Sequence, residues 1–194
     1  MDSIQSSKSV VSIGDYDEYR SALDNFSSGR WSEDRWKTFR LRFGVYAQKQ
    51  AKSYMIRAKT PGGRFSFSQA RTAAKVNRQY CGSDIHITTR QDLQFYFIKL
   101  ESTPAFLQAL YSGGITTREA SGNTFRNVVA CPLAGICPHE LVDASKVAES
   151  ISATWIRHPL VQHMPRKFKT TVSGCAHDCG ASSIDDLGFI ATTR

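Results

Sequence analysis

Tyr54-Met55-Ile56-Arg57-Ala58-Lys59-Thr60-Pro61-Gly62-Gly63 decides how the first half of this chain is read. The run up to Lys59 has strand character, and Thr60-Pro61-Gly62-Gly63 is a strong turn signal. Beyond the turn, Phe67, Ala70 and Ala74 recur at helical spacing with Arg and Lys between them, which predicts a helix over 66–80 ending near Gly82. Two further strands are expected at 85–88 and 93–98, joined through Thr89-Arg90-Gln91. A second helix is expected over 104–111, stopped by Gly113-Gly114. Strand, helix, two strands and a helix make a small α+β unit of ferredoxin-like character.

On the N-terminal side, residues 1–30 are polar and serine-rich, with a short helical tendency over 16–23, and read as a poorly ordered or peripheral arm. Residues 31–50 mix aromatic and basic side chains and read as a loop-rich entry segment in which Trp31 and Trp36 pack. On the C-terminal side, 115–135 is rich in Thr, Ser, Gly and Asn and reads as a long ordered loop, a length that usually marks function. A helix over 139–155, a strand over 168–172 and a loop over 173–183 follow. The chain closes on 187–194, an expected strand with nothing after it to pair or cap, the ending of a truncated domain. There is no internal repeat.

The whole chain of 194 residues is long enough for one ordinary domain or two small ones. It is 41% hydrophobic and 22% charged, a soluble composition without a membrane-length apolar run or a secretory signal at its start, so a cytoplasmic location is expected. The formal net charge of +8 calls for a solvated basic surface, a nucleic-acid partner or an acidic ligand.

Four of the five cysteines fall in two tight pairs. Cys131 and Cys137 form C-x5-C, and Cys175 and Cys179 form C-x3-C. Neither is the C-x2-C of zinc ribbons, and a cubane iron–sulfur cluster suits looser, unequal spacings because its four thiolates surround a body larger than one ion. Iron–sulfur ligation, zinc ligation and inert buried thiols are the three readings that spacing leaves open. Cys81, at a helix end, reads as structural. The five histidines share no metal-ligand spacing, although His177 lies inside C-x3-C and is placed to donate to a ligating sulfur. Basic residues recur at the turns flanking both pairs: Arg57, Lys59, Arg90, Arg126, and Arg166-Lys167-Phe168-Lys169. Such a set grips a polyanionic ligand, because guanidinium holds carboxylates bidentately and Lys adds point charge.

Four segments, Met55–Gly63, Thr88–Phe95, Ser121–Gly135 and Met164–Lys169, together resemble the first half of the nitrite and sulfite reductases, in the family's order. The resemblance covers roughly residues 31–194. Beside the N-terminal arm over 1–30, it implies a ferredoxin-like half-domain over 31–114, and over 115–194 the start of an α/β sirohaem-binding domain, cut at its C-terminal side. It implies that Arg57, Arg90, Arg126, Lys167 and Lys169 bind sirohaem carboxylates, and that Arg57, Arg126, Lys167 and Lys169 also face the anionic substrate. The cofactors implied are sirohaem and a [4Fe–4S] cluster, coupled through a shared cysteine thiolate. The activity implied is six-electron reduction of sulfite to sulfide or nitrite to ammonia, with ferredoxin or a flavoprotein subunit as electron donor and no nucleic acid or membrane partner. Lys169 resembles sulfite reductases, since plant-type nitrite reductases tend to carry Asn there. Family members are usually duplicated and more than twice as long, so a C-terminal half is missing here. Cys131, Cys137, Cys175 and Cys179 are then either cluster ligands or a metal-free relic of the duplication. The alternatives to this reading are a non-catalytic iron–sulfur or zinc module acting as a partner or sensor, and a basic nucleic-acid-binding domain. For the latter no interleaved aromatic platform is found, nor is there a G-x-G-x-x-G or P-loop for nucleotides.

Overall fold

The computed structural model describes residues 10–193 and divides them between two sheets. In the first, β1 (Val45–Ala47), β2 (Ser53–Ala58), β4 (Leu93–Lys99) and β3 (His86–Ile87) lie in the order β1-β2-β4-β3, all antiparallel. Strand β4 is inserted between β2 and β3, which are themselves linked by a helix, the split βαβ arrangement expected of a ferredoxin-like unit. That helix, α3 (Phe67–Tyr80), opens with a complete capping box in which Ser66 and Gln69 exchange bonds, and it packs against α4 (Thr103–Ser112). Ile56, Phe95, Ile98, Phe106, Leu107 and Leu110 fill the space between helices and sheet.

Two sequence expectations fail at the N-terminal side. The part of the expected arm that lies among the described residues is largely helix: α1 (Ile13–Ser27) sends Tyr19 wholly into the core, where its hydroxyl lies 2.8 Å from that of Thr103. The expected entry loop contains α2 (Glu33–Arg42), N-capped by Ser32, as well as β1. Trp36 stacks on Phe39 and Phe39 on Phe43, and the Tyr19 ring lies tilted against Trp36 and Phe43, so these residues complete the first core.

The second sheet is parallel, in the order β5-β6-β7. Strand β5 (Phe125–Ala130) lies inside the expected long loop. It is a parallel strand buried along almost its whole length, so it lacks the alternation that betrays a strand in sequence. Helix α5 (Ala144–Trp155), capped by Asp143, crosses from β5 to β6 (Phe168–Ser173) and begins later than expected because residues 139–143 are spent in the connection. The closing strand β7 (Leu187–Ile190) does have a partner: it pairs with β6 from Thr170↔Leu187 to Ser173↔Ile190.

The two sheets are joined by polar contacts. Lys59 bridges to Thr116 in backbone pairing. The Gln91 amide accepts from the Ala130 N–H and donates to its carbonyl, at 3.1 and 2.8 Å. Asn127 donates to the carbonyls of Thr60 and Arg90. At Gly62, whose φ is +63°, an added Cβ would come within 2.8 Å of the Ser145 carbonyl, so glycine lets α5 close on the turn.

Candidate functional site

Period-two geometry decides which β2 residues reach the site. Ile56 and Ala58 face the core, so Arg57 projects to the opposite face of the sheet. Its guanidinium lies over the Tyr46 ring at 5.3 Å and donates to the Tyr46 hydroxyl at 3.4 Å. The Gln94 amide, across the ladder, turns its oxygen to Arg57 (2.6 and 3.2 Å) and its nitrogen to the Tyr96 hydroxyl. Arg126, second residue of β5, donates to the carbonyls of Gly122 and Ala120 at 3.1 and 2.9 Å. Burial pushes its pKa down, while Tyr46 works against that shift. Arg57 and Arg126 thus meet on one tyrosine.

Lys59 is buried, donates to the Phe125 carbonyl at 3.1 Å and pairs with the equally buried Glu119 at 3.5 Å. Burial lowers its pKa, and Glu119 opposes that shift. Arg90 is anchored inside the fold by its two terminal nitrogens: it donates to the carbonyls of Asn127 and Thr170 and pairs with Asp185 at 2.9 Å, while its buried Nε has no partner among the described residues. Lys169, second residue of β6, reaches the same Asp185 at 3.4 Å. Burial alone would raise the pKa of Asp185, but Thr171, Arg90 and Lys169 together bring it below the ordinary carboxylate value. Lys167 precedes β6 and is exposed. Because Phe125 and Phe168 are register partners, Arg126, Lys167 and Lys169 share one end of the parallel sheet.

Asp92 lies among these cations, a placement that its sequence motif, which points to Arg90, does not signal. It is 2% exposed, and its Oδ1 has no hydrogen-bond partner. Burial pushes it up to about 7 against the pull of Arg57, Lys59, Arg90 and Arg126. Six cations (Arg57, Lys59, Arg90, Arg126, Lys167, Lys169) therefore occupy this region against three carboxylates that their side chains pair with or feel (Asp92, Glu119, Asp185). The surplus is positive.

The cysteines gather at the other end of the sheet. Cys131 directly follows β5, and its N–H donates to the Val172 carbonyl at the end of β6. Cys175 and Cys179 lie in the crossover from β6 to β7. From the end of β5 back to Arg126 is roughly 13–16 Å along the strand, so cysteines and basic residues that adjoin in sequence lie apart in space. Cys131 and Cys175 are buried, Cys137 half-buried and Cys179 exposed. The Cys131 thiol is raised by burial, and the charges of Cys179, Cys137 and Cys175 add to the shift, which places all four within reach of one another's field. Among the described residues no three Cys, His, Asp or Glu side chains converge on one metal ion. Four thiols in two loops at one end of the sheet have the donor chemistry of a cubane iron–sulfur cluster.

Loop geometry serves the cysteines. A Cβ at Gly180 would come within 2.9 Å of the Ser173 hydroxyl and 3.5 Å of the Cys131 N–H, and one at Gly174 within 2.6 Å of the Val142 carbonyl. Asp178 takes bonds from the Ser173 hydroxyl, from the Ser182 N–H and hydroxyl, and from the Ser183 N–H. Burial works to raise its pKa, but these hydrogen bonds win and hold it well below the ordinary value. His177 stacks on His139, ring centroids 4.9 Å apart, linking the two cysteine loops.

Comparison with known proteins agrees with this geometry. Residues 46–112 match the model of the nitrite/sulfite reductase ferredoxin-like half domain, and residues 121–194 that of the nitrite and sulphite reductase 4Fe-4S domain. The chain is 34% identical to an assimilatory ferredoxin-dependent nitrite reductase of Haloferax mediterranei over 80% of its own length and 29% of the relative's. It is 33% identical to a sulfite reductase [ferredoxin] of Mycobacterium tuberculosis over 75% and 26%. The solved Mycobacterium tuberculosis NirA protein superposes with a TM-score of 0.78 at 27% identity, covering 90% of this chain and 36% of that one. A dissimilatory sulfite reductase I (DsrI) structure, at TM-score 0.63 and 16% identity, shares the fold. The chain thus spans about a third or less of these relatives' length. Two successive family domains, in the order and at the places where the two sheets fall, show that the chain belongs to the nitrite and sulfite reductase family and carries its N-terminal portion.

Proposed function

We propose that this chain supplies the anion-binding and cofactor-facing part of a cytoplasmic reductase that takes sulfite to sulfide or nitrite to ammonia with six electrons from ferredoxin. The surplus of cations around Arg57 and Arg126 carries the reading: it suits a ligand with several carboxylates together with a small oxyanion. Arg57, Arg90, Arg126, Lys167 and Lys169 are the residues assigned to sirohaem carboxylates, with Arg90 and Lys169 exchanging Asp185 for the ligand. Cys131, Cys137, Cys175 and Cys179 are the donor set for a [4Fe–4S] cluster. When bound, the coupled cofactors supply electrons one at a time. Arg57, Arg126, Lys167 and Lys169 hold the anion, neutralise charge on its oxygens and, through the lysine ammonium, donate protons as oxygen leaves.

Reconstitution of the chain with sirohaem, iron and sulfide tests this. Visible bands of both chromophores, with weaker sirohaem binding in Arg126→Met and Lys169→Met, are expected. Cluster absorption with no sirohaem uptake would favour a non-catalytic iron–sulfur module instead. Reduction of sulfite and nitrite by reduced ferredoxin, compared side by side, decides the substrate.

A further inference from the structure

The reduction proposed above consumes protons at an anion, and the cation cluster contains one group placed to bring a proton in with it. We propose that Asp92 couples anion binding to proton uptake: its carboxylate balances the cations while the site is empty, and takes up one proton from solvent when an anion arrives. This rests on the reading of the Arg57/Arg126 region as an anion site.

Three observations carry it. Asp92 is buried and one carboxylate oxygen lacks any hydrogen-bond partner, so nothing local fixes its charge. The backbone of Asp92 is held, its N–H bonded to the Thr88 hydroxyl and its carbonyl to the Thr88 N–H, which fixes the Cα from which the buried carboxylate projects. Four cations act on it: Arg57 from β2, Lys59 from the turn that follows β2, Arg90 from the turn before Asp92 and Arg126 from β5. None of them closes an ion pair with it among the described residues; Lys59 spends its charge on Glu119, and Arg90 on Asp185. A carboxylate held only by the field of distant cations is sensitive to any anion that cancels that field. An incoming anion raises its proton affinity, and by linkage the protonated form binds the anion more tightly. Its pushed-up value of about 7 places the exchange near neutrality.

The test is calorimetric titration of nitrite into the full chain in buffers of different ionisation heat. Nitrite stays ionised throughout the neutral range, so any proton taken up belongs to the protein. Net proton uptake that is largest near neutral pH is expected. Nitrite affinity should fall about tenfold from roughly pH 6 to pH 8.5, a loss equivalent to one unit of pKa displacement. Asp92→Asn should bind nitrite with little pH dependence and no uptake. His86 is the exposed imidazole on the neighbouring strand β3, its ring 3.2 Å from the Tyr96 hydroxyl, and His86→Gln should keep the wild-type profile. Should Asp92→Asn fail to fold, the carboxyl carbon signal of Asp92 in the wild-type chain gives the same answer. Its midpoint should lie near neutrality and rise with nitrite. Binding of nitrite without proton uptake, or a pH dependence that survives in Asp92→Asn, overturns the proposal and leaves the anion site standing. Absence of nitrite binding at every pH overturns the anion site and this proposal with it.

Discussion

Two aspartates show how environment sets opposite signs on the same side chain. Asp178 accepts four bonds in the C-x3-C loop, and its folded pKa lies below the ordinary 3.8. Its contribution to stability is present above that ordinary value and is lost as pH falls through the folded one. Asp178→Ala should cost on the order of 2 kcal/mol in urea unfolding at neutral pH, because the loop's donors lose their acceptor. Asp92 runs the other way. With a folded pKa near 7 against 3.8 unfolded, the native state binds more protons between the two, so stability falls as pH rises through that window. Asp92→Asn should therefore unfold a few degrees higher than wild type at pH 8 and lose that advantage at pH 4, by thermal melts at both. Neither role was legible in sequence. Asp178 sits in a motif whose cysteines take the attention, and Asp92 needs the third dimension, since three of its four cations come from other elements.

At the level of elements, legibility followed the clarity of the local signal. Helix α3 was readable because Ser66 and Gln69 make a capping box ahead of an amphipathic run. Ser66→Ala should lower stability by about 1 kcal/mol, measured by chemical denaturation. Helix α1 extends well beyond the short helical tendency over 16–23, and α2 falls where a loop is expected, although Tyr16, Tyr19, Leu23 and Phe26 recur at helical spacing, as do Trp36, Phe39 and Phe43. Polar and basic residues between them obscure that spacing. Strand β5 was hidden for a different reason, since a buried parallel strand that carries Arg126 and Asn127 shows neither alternation nor an apolar run.

In the molecule as a whole, Arg90 is the joint. It bonds two carbonyls on β5 and β6 and a carboxylate beyond them, from a turn that belongs to the other sheet. Arg90→Lys cannot span all three with one ammonium and should cost about 1–3 kcal/mol, with faster proteolysis between the sheets as the accompanying sign. The contacts that make it a joint are invisible in sequence, because Asn127, Thr170 and Asp185 lie 37, 80 and 95 residues from Arg90.

The parallel order of β5, β6 and β7 has a consequence of its own. Three chain segments, 131 onward, 174 onward and 191 onward, leave the sheet at a common rim, with Ala191 tied to the Ser173 carbonyl. A rim of that kind is a socket whose contents are interchangeable. Loops there can be lengthened, given thiols or stripped of them without disturbing the strands that hold the cationic end. Gain or loss of thiols at the rim and retention of the cationic end can thus proceed as separate evolutionary events within one scaffold.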